Sequence, residues 1–143
     1  MTHGADLSAL TIGPITGAAT FFTLTAGHIP LAFPRSFGRA VLVRWLGLGA
    51  GAALEEVVWR GIVLGGLAAA VGPWPALAAS SAGFALGHWF SVRRRCAIHL
   101  VTGLAFGAAY LAGGLVAAIL GHAIYNLLVD WAVQSEHARL RRR

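Results

Sequence analysis

The sequence has no lysine and few charges of either sign. Its eleven arginines and five acidic residues make up only 11% of 143 residues. A soluble domain carries about a quarter of its residues as charges, so this composition excludes an ordinary soluble domain. The arginines stand in short clusters between apolar runs, which is typical of membrane topology signals, and no nucleic-acid partner is expected. The single cysteine, Cys96, excludes an internal disulfide.

The chain is rich in long apolar segments. Apolar residues form 57% of the chain, and several runs reach the ~20 residues that cross a hydrocarbon core of ~30 Å. These runs predict an all-α polytopic membrane protein, a compact bundle of about five transmembrane helices forming a single domain over residues 1–143. The predicted helices cover about Leu7–Phe33, Val41 to the breaker run Gly72–Pro75, Ala76–Val92, Ala97–Leu111, and Leu115–Val133 after a Gly113-Gly114 turn.

Three arginine clusters fall on one side of the membrane if these helices alternate in direction. By the positive-inside rule the N-terminus is then outside and the C-terminus cytoplasmic. The clusters are Arg35/Arg39/Arg44, Arg93/Arg94/Arg95 and Arg139/Arg141/Arg142/Arg143. We therefore expect a multi-pass protein embedded in the lipid bilayer. A chain that uses arginine without lysine and is rich in alanine and glycine favours a prokaryotic plasma membrane.

Three ionisable residues interrupt the second predicted helix at membrane depth: Glu55, Glu56 and Arg60. Such groups are costly in lipid and mark functional sites by default. In a helix Glu56 and Arg60 are four residues apart and can neutralise each other, whereas Glu55 points elsewhere. A structural ion network that fixes helix register is the alternative. It would need only one pair, and a third group adds desolvation cost, so the pattern favours a function.

Two further helices carry polar residues at overlapping depth. His88 follows Phe84 by one turn on the third predicted helix, and His122 precedes Asn126 by one turn on the fifth. Each pair alone fits a capping histidine or an interhelical hydrogen bond. Together with the carboxylates they predict one cavity open to the cytoplasm and the hydrolysis of an amide, in which a carboxylate activates water and imidazole and amide groups hold the oxyanion. We interpret His99 as interfacial.

The three motifs resemble those of the CPBP family of intramembrane proteases, to which the type II CAAX prenyl endopeptidases belong. The matching stretches are Glu55-Glu56-Val57-Val58-Trp59-Arg60-Gly61, Phe84-Ala85-Leu86-Gly87-His88 and His122-Ala123-Ile124-Tyr125-Asn126. Each motif alone is weak, but three in order on successive apolar helices are specific. The resemblance covers about residues 54–130, the motif-bearing core. Trp59 stands where the family usually has phenylalanine or tyrosine.

The resemblance implies an intramembrane endopeptidase that cleaves a lipid-modified or membrane-bound peptide or protein at the cytoplasmic side. Glu55 would be the general base, assisted by His88. His122 and Asn126 would hold the oxyanion. Two supporting residues would brace the site, Glu56 and Arg60.

Several alternatives stay open. The family is often labelled metalloprotease, and a glutamate with two histidines could hold a divalent metal such as zinc. The chain lacks a His-Glu-x-x-His spacing, which favours a metal-free glutamate mechanism. A single predicted helix precedes the Glu-Glu helix, fewer than the family commonly has. This leaves open a homo-oligomer and a non-catalytic immunity or scaffold protein of the same fold. A proton-coupled carrier is disfavoured because five helices show no inverted repeat.

Overall fold

The computed structural model describes residues 3–25, 38–89, 93 and 96–141. The elements within these ranges are all helical, which confirms the predicted all-α class. They are α1 (His3–Leu24), α2 (Arg39–Glu56), a π-helical segment (Val57–Leu64), α3 (Gly65–Val71), α4 (Pro73–Gly87) and α5 (Cys96–Leu140). By length and hydropathy, α5 and the Leu7–Leu24 part of α1 could each cross a membrane. The count of five transmembrane helices and their orientation stay predictions.

Some predicted boundaries differ from the structure. The predicted end of the first helix at Phe33 and that of the third at Val92 lie outside the described residues. The third helix was expected to start at Ala76, which is wrong by three residues, because α4 begins at Pro73. Gly72 alone makes the break, with φ +84°. Proline at the start of a helix gives up no hydrogen bond and already has the helical φ.

Helix α5 folds back on itself at Gly114. That glycine has φ 75° and ψ −172°, outside the helical region. The rings of Phe106 and His122 lie 4.9 Å apart, whereas sixteen residues of straight helix would separate them by about 24 Å. Residues 96–113 and 115–140 are therefore the first and second arms of a hairpin. The predicted turn at Gly113-Gly114 is present.

Close backbone contact joins α1 to the second arm of α5. A Cβ atom added at Gly13 would lie 2.6 Å from the carbonyl oxygen of Ala117, and one added at Gly17 would meet the carbonyl oxygen of Gly121. Small residues four apart allow this approach in a membrane protein, where packing rather than water exclusion drives helix association. Gly47 has the same kind of spacing in α2 but no atom within 4 Å of an added Cβ. Spacing alone therefore does not identify a packed face.

The segment after the two glutamates is π-helical rather than α-helical. The backbone N–H of Gly65 donates to the carbonyl of Arg60, five residues earlier. The hydroxyl of Ser80 on α4 donates to the carbonyl of Trp59 at 2.8 Å, and the Trp59 ring lies against Gly83. π-Helical turns are rare and occur frequently at functional sites. Here the segment ties the Glu-Glu motif directly to α4.

Candidate active site

The predicted pair of Glu56 and Arg60 is present and deeply buried. Nη1 of Arg60 donates to Oε1 of Glu56 at 3.0 Å, and the two side chains are 1% and 0% exposed. Nη2 of Arg60 donates to the carbonyl oxygen of Gly103 at 2.9 Å, and the guanidinium lies 4.8 Å from the ring centre of Phe84. A buried ion pair is stable only when such additional contacts satisfy its remaining groups. This network joins the π-helical segment, α4 and the first arm of α5.

His122 bonds to the same oxygen of Glu56. Its Nδ1 lies 2.8 Å from Glu56 Oε1, and its ring stacks on Phe106 at 4.9 Å and 19°. Because Arg60 also donates to Oε1, that oxygen acts as an acceptor, and His122 Nδ1 must carry the proton. The ring therefore turns its Nε2 away from Glu56 and toward Glu55. The sequence did not reveal this bond between Glu56 and His122.

Glu55 points into a different space, as its position one residue from Glu56 predicts. Its side chain is 40% exposed, and its Oε2 lies 3.9 Å from Nε2 of His88 and 3.9 Å from Nε2 of His122. These distances are too long for direct hydrogen bonds and short enough for one water molecule to bridge each pair. The structure thus brings these three side chains to one point.

His88 lies at the C-terminal end of α4 and turns its Nε2 toward this point. Its Nδ1 is 2.9 Å from the carbonyl oxygen of Phe84. A carbonyl can only accept, so Nδ1 is the protonated nitrogen and Nε2 of the neutral ring carries a lone pair. The ring is flanked by Phe84 at 4.6 Å and by His99 at 4.0 Å.

Three aromatic residues of the site were not among the predicted site residues: Phe84, His99 and Phe106. Phe84 is 1% exposed, and its ring contacts the rings of His88, His99 and His122. His99 and Phe106 are seven residues apart on the first arm, which places them on one face of the helix. The spacing can be seen in the sequence, but it does not indicate that this face of the helix contacts His88 and His122. The ring of His99 stacks on His88, and its interpretation as interfacial stays a prediction.

Asn126 is the one predicted site residue that the structure does not tie to the others. It lies one turn beyond His122 on the same arm and is half-buried. Within the described part of the chain its side chain forms no hydrogen bond. Its predicted role at the oxyanion stays a prediction.

Hydrogen bonds at one end of the bundle hold the second arm of α5 next to α2. Asp130 accepts hydrogen bonds from Nε of Arg44 at 3.1 Å and from Nε1 of Trp45 at 2.9 Å. Asp130 lies eight residues beyond His122 on the same arm, and Arg44 lies twelve residues before Glu56. These hydrogen bonds therefore help to fix the register in which His122 meets Glu56.

Glu55 Oε2 lies too far from His88 Nε2 and His122 Nε2 for these three atoms to form a preformed zinc site. Tetrahedral ligands at about 2.1 Å from zinc stand about 3.4 Å apart, and the separations at Glu55 are 3.9 Å. In residues 3–25, 38–89, 93 and 96–141 no three His, Cys, Asp or Glu side chains form a group that could hold a metal. The metal-free glutamate mechanism stays a prediction.

The fold and the site together define an all-helical protein with a buried arginine–glutamate–histidine network behind a half-exposed carboxylate. The family model described as type II CAAX prenyl endopeptidase Rce1-like matches residues 37–128. That is more than half of the chain, so the protein belongs to this family of membrane-embedded proteases, and the resemblance drawn from the motifs is confirmed. The matched range contains all six predicted site residues. No curated protein and no solved structure matches the chain.

Proposed function

We propose that this protein is an intramembrane endopeptidase that hydrolyses a peptide bond at the cytoplasmic side of the membrane with water activated by Glu55. One observation carries the proposal: Oε2 of Glu55 lies 3.9 Å from Nε2 of both His88 and His122. The family description supports a substrate class, a prenylated peptide with a CAAX ending. The placement at the cytoplasmic side follows from the arginine clusters.

Glu55 and His88 together activate the water molecule. A water molecule between them donates one hydrogen bond to the carboxylate and one to the lone pair on His88 Nε2. As the water oxygen attacks the peptide carbonyl carbon, its proton passes to Glu55 Oε2. When the tetrahedral intermediate collapses, the C–N bond breaks and Glu55 returns that proton to the leaving amine. Atoms and charges then balance without any other reactant.

His122 and Asn126 donate hydrogen bonds to the oxyanion. His122 already donates from Nδ1 to Glu56, so donation to an oxyanion from Nε2 requires a second proton on the ring. His122 enters the reaction with a proton on each ring nitrogen and keeps both, so the proton balance at Glu55 is unchanged; its Nε2 lies 3.9 Å from Glu55 Oε2 and its Nδ1 2.8 Å from Glu56 Oε1. Asn126 offers a side-chain amide one turn further along, which makes no hydrogen bond to any described residue.

The pair of Glu56 and Arg60 supplies orientation rather than chemistry. Oε1 of Glu56 accepts from both Arg60 and His122, so the carboxylate holds the imidazole ring in one orientation. Both side chains are buried and out of reach of substrate. Their opposite charges cancel, so the pair itself adds no net charge in a region where one is costly.

The test uses the purified protein in detergent micelles and an internally quenched, farnesylated peptide with a CAAX ending. Glu55→Gln keeps the size of the side chain and removes the base, so kcat should fall by about 10²- to 10⁴-fold. The matched control is Glu136→Gln, which alters an exposed carboxylate paired with Arg139 and should cleave as the parent does. Equal rates for the parent and Glu55→Gln would contradict the proposal. A parent that binds the peptide without cleaving it would favour the non-catalytic scaffold.

A further inference from the structure

We infer that His99 is a positioning residue that holds the imidazole of His88 so that its Nε2 faces Glu55. The inference rests on the proposed function for its kinetic consequence, whereas the geometry on which it stands is independent of any activity. His99 itself forms no hydrogen bond or ion pair with Glu55 and takes no part in the transfer of protons.

His88 needs a second restraint. It sits just past the last residue of α4, and its side chain is 25% exposed. Among the described residues its side chain has one hydrogen bond, from Nδ1 to the carbonyl of Phe84. A single bond at one ring atom leaves the ring free to swing about that atom. Such a swing would carry Nε2, on the far side of the ring, out of reach of a water bound to Glu55.

The ring of His99 supplies this restraint. The two imidazoles stack at 4.0 Å with 13° between their planes, and the rings of Phe84 and His99 form an edge-to-face pair at 5.7 Å. His88 therefore contacts two rings, a tilted one from Phe84 on α4 and a stacked one from His99 on the first arm of α5. Because stacked rings present faces rather than N–H groups to each other, no hydrogen bond can carry a proton between the two histidines.

The other histidine of the site has a matching partner. His122 stacks on Phe106 at 4.9 Å and 19°, and Phe106 lies seven residues after His99 on the same arm. A phenylalanine ring has no nitrogen to offer, so at His122 a flat ring is sufficient. The same should hold at His88, which predicts that phenylalanine can replace His99.

The kinetic test compares His99→Ala, His99→Phe and the parent on the quenched peptide. His99→Ala should lower kcat by about 10- to 100-fold, the size expected for a displaced catalytic group, with KM within about twofold of the parent. His99→Phe should restore most of kcat. His137→Ala is the control, since it removes an exposed histidine of the α5 terminus. A loss in His99→Ala that His99→Phe does not repair, or no loss at all, overturns the inference.

A spectroscopic test separates this inference from the proposed function. In protein labelled with ¹⁵N-histidine, the resonances of His88 are those missing from the His88→Asn variant. The parent and His99→Phe should show His88 protonated at Nδ1 with one sharp Nε2 resonance, whereas in His99→Ala the Nε2 resonance should shift or broaden, because the ring moves about the hydrogen bond that Nδ1 keeps. An unchanged His88 spectrum in His99→Ala refutes the positioning role. A parent that cleaves no peptide would refute the proposed function alone, since the spectra still decide the role of His99.

Discussion

Replacement of Arg60 by methionine would leave the carboxylate of Glu56 buried without its counter-ion. Arg60 makes two charge-assisted hydrogen bonds, to Glu56 and to the carbonyl of Gly103. Within the described residues Oε2 of Glu56 already has no hydrogen-bond partner, so of the bonds seen there only the one from His122 to Oε1 would remain. Breaking a buried ion pair on one side costs about 3–5 kcal/mol, a large share of a total stability of about 5–15 kcal/mol.

The double variant Arg60→Met/Glu56→Gln removes the stranded charge together with its partner. It should be more stable than Arg60→Met alone, with a coupling energy of about 2–3 kcal/mol in the double-mutant cycle. Arg44→Met is the control, because Arg44 is 41% exposed in its ion pair with Asp130 and such surface pairs are worth about 0–1 kcal/mol. The cycle also needs Glu56→Gln alone, and reversible unfolding in mixed SDS micelles measures the parent and all four variants. Either of two results would show that the buried ion pair does not stabilise the fold. Arg60→Met would lower the free energy of unfolding no more than Arg44→Met does, or the effects of Arg60→Met and Glu56→Gln would simply add.

Three further predictions concern packing and metal. Gly17→Ala should destabilise the protein by about 1–3 kcal/mol, because its Cβ meets the carbonyl of Gly121; in the same unfolding assay Gly47→Ala, which adds a methyl group to open space, should cost nothing. Gly83→Ala should be destabilising in the parent, where the added Cβ would lie 2.7 Å from the Trp59 ring, and tolerated in a Trp59→Phe background; equal costs in both backgrounds would disprove this contact. Peptide cleavage should survive dialysis against EDTA and 1,10-phenanthroline, and an activity lost to chelators and restored by zinc would refute the metal-free mechanism.

The parts of the site that local geometry determines could be predicted from the sequence. Glu56 and Arg60 pair because four residues of helix bring them together, and the bond forms even though Arg60 lies in a π-helical segment. Glu55 diverges from Glu56 because neighbouring residues leave a helix in different directions. The turn at Gly114 follows from a glycine pair between two apolar runs.

The contacts between helices could not be predicted in the same way. His122 meets Glu56 across 66 residues of sequence, and nothing local indicates which of two adjacent carboxylates it will choose. The sequence places His99 and Phe106 on one face of a helix. Only the packing of the neighbouring helices shows that this face contacts His88 and His122. The π-helical geometry of Val57–Leu64 depends on contacts such as that of Ser80 with Trp59, which a local pattern does not contain.

The hairpin of α5 makes chain length itself a determinant of the site. Phe106 and His122 each stand eight residues from Gly114, and their rings meet because the two distances are equal. One residue inserted between Leu115 and Gly121 would rotate His122 by about 100° and shift it by about 1.5 Å. Both arms would remain good helices, yet the imidazole would face away from Glu56. In this stretch a length change should therefore be more damaging than most changes of residue type.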